Sequence, residues 1–268
     1  MAIVVTRRNS LRRRLYSVAS SAGVNELDVT PWTLPGMVFW AEASLETAYV
    51  DDDLVATITD RTANANHATA AGANRSTYKT GVLNGLATYR FLGDDVHLTA
   101  AMTLRYPVLF IVFRNSVVAR LVVEHDFDAG GGTSHFWLYT QGPGQMLRHS
   151  KVEIGGGDVF RGPTAAESFM DDNIFRNVRT ISSRGGRGLH VYFNNRHIST
   201  VDDSIMGDPG VGDMTGPLSI GARNDGTLPI TGDIAALGMA DGRLLSQLNM
   251  ILISRYLSTR YAIPDVLP

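Results

Sequence analysis

Val108-Leu109-Phe110-Ile111-Val112-Phe113 is an unbroken apolar run of strand length that begins immediately after Pro107. A run of this length without polar alternation predicts a strand buried in the middle of a sheet. Working outward, residues 117–123 continue as a second strand. The glycine loop Gly130-Gly131-Gly132 leads into His135-Phe136-Trp137-Leu138-Tyr139. Towards the N-terminus, Thr88-Tyr89-Arg90-Phe91 and Leu54-Val55-Ala56-Thr57-Ile58 read as strands. Val38, Trp40 and Ala43 mark a further segment that ends at Ser44.

Later in the chain, residues 177–183 and 189–194 alternate around Arg184-Gly185-Gly186-Arg187-Gly188. This is a hairpin pattern in which the glycines supply positive φ at the tip. Asn194-Asn195 makes the next turn, and Leu218-Ser219-Ile220 and Asp233-Ile234-Ala235-Ala236-Leu237 are late strands. One long helix is predicted. Ser246 is its N-cap, Leu248, Ile251, Leu252 and Tyr256 recur on an apolar stripe up to Arg260, and Pro264 lies just beyond. Ser254, Arg255 and Ser258 fall off that stripe.

Composition agrees with an all-β reading. The 268 residues are enough for one sizeable sandwich core, and 27 glycines with 10 prolines suit many short strands and turns. With no cysteine, disulfides and thiolate metal sites are excluded, which fits assembly in a reducing cytoplasm. No apolar run approaches the roughly 18 residues of a membrane span, so no membrane partner is expected.

Four segments carry a family resemblance. They are Leu34-Pro35-Gly36-Met37-Val38-Phe39-Trp40-Ala41-Glu42-Ala43-Ser44; Asp60 with Asn64, Asn66, His67, Ala68 and Thr69; Leu83-Asn84-Gly85-Leu86-Ala87-Thr88-Tyr89-Arg90-Phe91-Leu92-Gly93; and a C-terminal set. That set is Ile220-Gly221-Ala222-Arg223, Gly232-Asp233-Ile234-Ala235, and the helix ending Tyr256-Leu257 and Arg260-Tyr261-Ala262-Ile263. In order and spacing they resemble the laminin-G-like branch of concanavalin A-like jelly rolls, in the version found in structural proteins of tailed bacteriophages. The departures are Glu42 where Asp is usual, Arg61-Thr62-Ala63 in the turn, and Ala236 for a frequent Glu. They are expected at turns and on the surface.

The resemblance implies a two-sheet jelly-roll sandwich with one C-terminal helix over residues 34–268, preceded by an extended arm and linker, residues 1–33. The function it implies is that of a bacteriophage virion structural protein, a capsid decoration or accessory subunit held by its arm and located in the virion. The alternative is a carbohydrate-binding module for host-surface glycans. Fold alone does not choose between them, because such jelly rolls also serve as lectins and hydrolases.

Catalysis is not expected. Glu124, Asp126 and Asp128 would share one face of a strand, and glycosidases of this fold place their carboxylates in such a row. A second Glu is missing here, and the run falls directly into Ala129 and the glycine loop. Asp51-Asp52-Asp53, Asp60 and Asp94-Asp95 offer oxygen ligands for calcium, yet consecutive aspartates alternate outward and read as solvated turns. His67, His97, His125, His135, His149, His190 and His197 lack zinc spacing, so no metal and no cofactor is expected. Trp137 and Tyr139 could stack on a sugar, although core positions are the commoner use of strand aromatics.

The charge is uneven. Residues 1–25 hold Arg7, Arg8, Arg12, Arg13 and Arg14 and no acid, leaving 19 of the 24 basic residues against all 26 acids, a net −7. Such an arm reads as a presequence, a nucleic-acid contact or a protein anchor. Fixing ~25 residues costs roughly 25–50 kcal/mol of backbone entropy, so an ordered arm needs extensive burial. Leu11, Leu15 and Tyr16 supply apolar contacts and the arginines fork onto carboxylates, which favours docking on other virion proteins or on copies of the acidic body over nucleic acid.

Overall fold

The computed structural model describes residues 29–116, 120–126, 135–140, 148–150, 160–161, 175–182, 189–201 and 213–264. The arm residues Arg7, Arg8, Leu11, Arg12, Arg13, Arg14, Leu15 and Tyr16 lie outside them, as does Asp128. Strands β1 (Met37–Glu42), β2 (Thr57–Ile58), β3 (Ala68–Thr69), β4 (Thr77–Leu83), β5 (Leu86–Leu92) and β6 (His97–Leu98) come first. β7 (Met102–Leu104), β8 (Pro107–Asn115), β9 (Arg120–Asp126), β10 (His135–Thr140), β11 (Arg148–Ser150) and β12 (Phe160–Arg161) follow. β13 (Arg176–Ser182), β14 (Leu189–Phe193), β15 (Arg196–Val201), β16 (Met214–Gly216), β17 (Leu218–Ile220) and β18 (Thr231–Asp241) precede helix α1 (Gln247–Arg260).

Two antiparallel sheets form the sandwich. Sheet A runs β15-β14-β13-β8-β18-β5-β4, with β1 also on β18, and sheet B runs β12-β11-β10-β9-β17-β6-β3-β2. β8 sits inside sheet A, between β13 and β18. Its lack of alternation has a direct cause. Leu109, Ile111 and Phe113 enter the core between the sheets, while Val108, Phe110 and Val112 meet the cluster under α1. A strand covered on both faces has no use for polar positions.

The second cluster joins Trp40 and Ala236 of sheet A to Met250, Ile253, Tyr256 and Leu257 of α1. Trp40 fits because Gly238 pairs with it across the strands; a Cβ there would lie 2.4 Å from the indole. Packing reaches back to Val29, Trp32 and Leu34.

Ser246 caps α1 as its sequence predicts, accepting from the Asn249 N–H at 3.1 Å. The predicted stripe is displaced. Leu248 is 42% exposed, and Ile251 and Leu252 are half-buried, whereas Ser254 and Ser258 are buried. The reason is polar and lies on the sheet. Asn177 Nδ2 donates to the Ser254 carbonyl (2.9 Å) and Ser258 Oγ (3.0 Å). Arg179 Nη1 donates to the Met250 carbonyl and to Ser254 Oγ, each at 2.9 Å. The helix turns its serines inward to meet β13, and apolarity alone misjudges its phase.

Two of the departures, Glu42 and Ala236, are interior rather than on the surface. Glu42 is fully buried and accepts from Tyr256 Oη (2.9 Å), Ser44 Oγ (3.0 Å) and Trp40 Nε1 (3.4 Å), and it pairs with Arg260. Burial, then the Glu42 charge, hold the Tyr256 phenol well above its ordinary pKa, so it remains a donor. Ala236 is buried against α1. Asp60 accepts from the N–H groups of Trp40 (2.9 Å), Thr62 (2.9 Å) and Asn66 (2.7 Å), which fastens its turn to β1.

One pair of buried groups near β6 titrates in opposition. Burial lowers His97 to about 4, while burial raises Asp95 to about 6. His97 therefore stabilises the fold fully above pH 6.5, and that contribution, ~3 kcal/mol, is lost as pH falls towards 4. Asp95 works the other way: the unfolded chain ionises first, so its contribution is lost as pH rises from about 4 to about 6. Asp95→Asn removes only the second effect. Urea titrations at pH 4.5 and 6.5 should show the variant losing more stability on acidification than the wild type. Equal losses would contradict the opposed pair.

Candidate functional site

α1 covers much of sheet A's outer face, which directs attention to the outward face of sheet B. Val123, Leu138 and Ile220 are register partners on the core side, so the alternate positions face away from the core. Those positions hold Glu124, with Ser219 of β17 on one side and Trp137 of β10 on the other. A bulge opposite Leu138 lets both Val122 and Val123 join the core, so the row at Glu124 keeps its facing.

Glu124 is fully buried even though it faces outward, because residues 221–230 fold over it. The Asn224 N–H donates to Glu124 Oε2 at 2.8 Å, and Arg223 Nε lies 3.7 Å from Oε1. Arg223 is also 3.9 Å from Asp225 Oδ2. The tip is tight: the Gly226 N–H bonds the Arg223 carbonyl at 2.8 Å and the Arg223 N–H bonds that of Thr227 at 2.9 Å. Asp225 accepts from Thr227 Oγ1 (2.6 Å) and N–H (2.9 Å), and the hydroxyl bond leads the contacts that hold its carboxyl below the usual range. Gly221 at φ +93 launches this loop; a Cβ there would stand 2.2 Å from the Phe91 ring.

The result is a rigid surface carrying Arg223 (side chain 34% exposed) and Asp225 (56%), fixed from beneath by a buried carboxylate. Its planar groups offer fixed donors and acceptors. Glu124 serves as the anchor, since no solvent reaches it. Of the carboxylate row read from the sequence, Asp126 shares the face of Glu124 by backbone position.

The other sequence candidates lie elsewhere. Lys79 Nζ grips Asp51 (3.1 Å) and Asp52 (2.8 Å), and Asp53 accepts from the Val50 N–H. His67 accepts from the Asp60 N–H, and the Nε2 of buried His125 is 3.1 Å from the Met102 carbonyl. His190 and His197 are ring neighbours at 5.7 Å. Among the described residues no group of three or more His, Asp or Glu is arranged to hold a metal, and no helix is long and apolar enough to cross a membrane. Arg223 and its loop carried no assigned role in the sequence; Asn224-Asp225-Gly226, shortly after β17, is the turn signal that marks it.

No protein-family model matches the chain, and no curated protein matches its sequence. Solved structures do match its shape. Domain 4 of AbnA, a GH43 extracellular arabinanase from Geobacillus stearothermophilus, solved in complex with arabinotriose, superposes with a TM-score of 0.58 at 11% identity. That match covers 82% of this chain and 98% of the domain. A GH54 α-L-arabinofuranosidase gives 0.56 at 12% identity, over 86% of this chain and 60% of that one. The binding domain of botulinum neurotoxin serotype D gives 0.55 at 7% identity, over 88% and 54%. The chain thus spans the whole arabinanase domain but little more than half of the other two. At these identities the likeness establishes an all-β sandwich and nothing finer.

Proposed function

We propose that this chain is a carbohydrate-binding module of the concanavalin A-like (laminin-G-like) kind, which holds a glycan on the outward face of sheet B without cleaving it. The observation that carries the reading is the buried Glu124, which holds Arg223 over the outward face of sheet B. A guanidinium and the exposed carboxylate of Asp225 offer the fixed donors and acceptors that sugar hydroxyls bond. The arabinanase domain of similar fold was solved with a bound trisaccharide, in keeping with this use of the sandwich. Hydrolysis needs two carboxyl groups flanking the scissile bond, ~5–5.5 Å or ~6.5–9.5 Å apart. Glu124 is enclosed and engaged by its loop, which supports binding without cleavage.

A glycan-array screen of the full chain tests this directly. Binding to a restricted set of glycans is expected, with no reducing sugar released from them. A chain that binds nothing on the array refutes the reading. It would leave the second one, an accessory virion subunit anchored by its arm, whose support is the cluster of five arginines within residues 7–14 set against a body of net −7.

A further inference from the structure

The opposite face of the sandwich carries a second polar feature. Arg90 of β5, Asp233 of β18 and Arg114 of β8 are register partners in one row across sheet A. The Asp233 side chain is 3% exposed and accepts from Arg90 Nε at 2.9 Å, from Arg114 Nε at 2.6 Å and from Thr88 Oγ1 at 3.1 Å. α1 ends just short of this row, with Tyr261 Oη bonded to the Ala235 carbonyl at 3.1 Å. The two guanidiniums, 32% and 23% exposed, are therefore open to solvent.

One carboxylate thus orients two cations, leaving a local charge of +1. Both guanidiniums spend Nε on Asp233, and their terminal Nη groups have no partner among the described residues. Arg114 is further fixed by the Phe175 ring, 4.9 Å from its Cζ. A cross-strand ion pair needs one arginine; the second adds surplus charge and a second fork held in place before any ligand arrives. Paired forks of this kind match the oxygens of a carboxylate or sulfate.

We propose that Arg90 and Arg114, oriented by the buried Asp233, form a binding site for the carboxylate or sulfate group of an acidic sugar. The oxyanion chemistry follows from the clamp itself; that a sugar carries it rests on the glycan-binding reading.

The test titrates the full chain with sodium glucuronate, inorganic sulfate, glucose and a short polyglutamate, following the arginine Nε–H signals by NMR. Glucuronate and sulfate should bind competitively and shift both arginine signals, and glucose should not. Arg114→Lys keeps a cation on Asp233 but loses the fork, so it should weaken both by about tenfold with the thermal midpoint retained. Sulfate binding without glucuronate binding overturns the sugar assignment, as does polyglutamate binding more tightly than glucuronate. No binding by any anion overturns the site. Arg223 lies over the other sheet, on Glu124, so failure of the glycan array leaves the sulfate result interpretable, and failure here leaves the array result standing.

Discussion

Glu42→Ala should lower the unfolding free energy by ~3–5 kcal/mol, the cost of breaking a buried ion pair from one side. Glu42 accepts from Tyr256, Ser44 and Trp40 and pairs with Arg260, so its loss strands four donors between β1 and the end of α1. Arg260 keeps a bond to Ser44 Oγ at 3.0 Å, too little to replace a carboxylate. For a chain of this size the thermal midpoint should fall by roughly 6–20 °C. A midpoint within a degree or two of wild type would show that α1 is held by its apolar contacts alone.

Ile253→Ala should cost ~2–5 kcal/mol, and Leu252→Ala, one residue earlier, under about half as much. Ile253 is fully buried against sheet A, and Leu252 is only half-buried. Urea midpoints of the two variants, measured side by side, decide the phase of the helix. The reverse ranking would restore the stripe of Leu248, Ile251, Leu252 and Tyr256 as the packed face.

That phase shows where the sequence was legible and where it was not. The β8 run, the cap at Ser246 and the turn at Asn194-Asn195 are local signals, set by apolarity, one side-chain oxygen, and residues that tolerate positive φ. Each could be read without knowing what lay opposite. The facing of α1 depends on Asn177 and Arg179, some seventy residues away, and no periodicity in the helix announces them. Glu42 likewise resembles a surface substitution until Tyr256 and Arg260 are placed beside it. β4 escaped notice because Gly81 interrupts its pattern at φ +67. Leu54-Val55-Ala56 looks like strand but contributes one isolated bridge, with Thr57–Ile58 alone joining sheet B.

The candidate site divides in the same way. Glu124 stood out because its carboxylate row is a sequence pattern, and its anchoring role follows from Arg223, a hundred residues further on. The rows Arg90–Asp233–Arg114 and Trp137–Glu124–Ser219 each bring together residues from three strands, contacts that topology alone creates.

On the proposed reading, Arg223 holds the glycan on the outward face of sheet B. Arg223→Lys keeps a cation over Glu124 while removing the planar fork, so the fold should stand and the ligand should not. Titration of this variant by calorimetry, with the glycan that the wild-type chain binds best, should show affinity weakened by about tenfold or more at an unchanged thermal midpoint. Wild-type affinity in the Arg223→Lys protein would contradict the account.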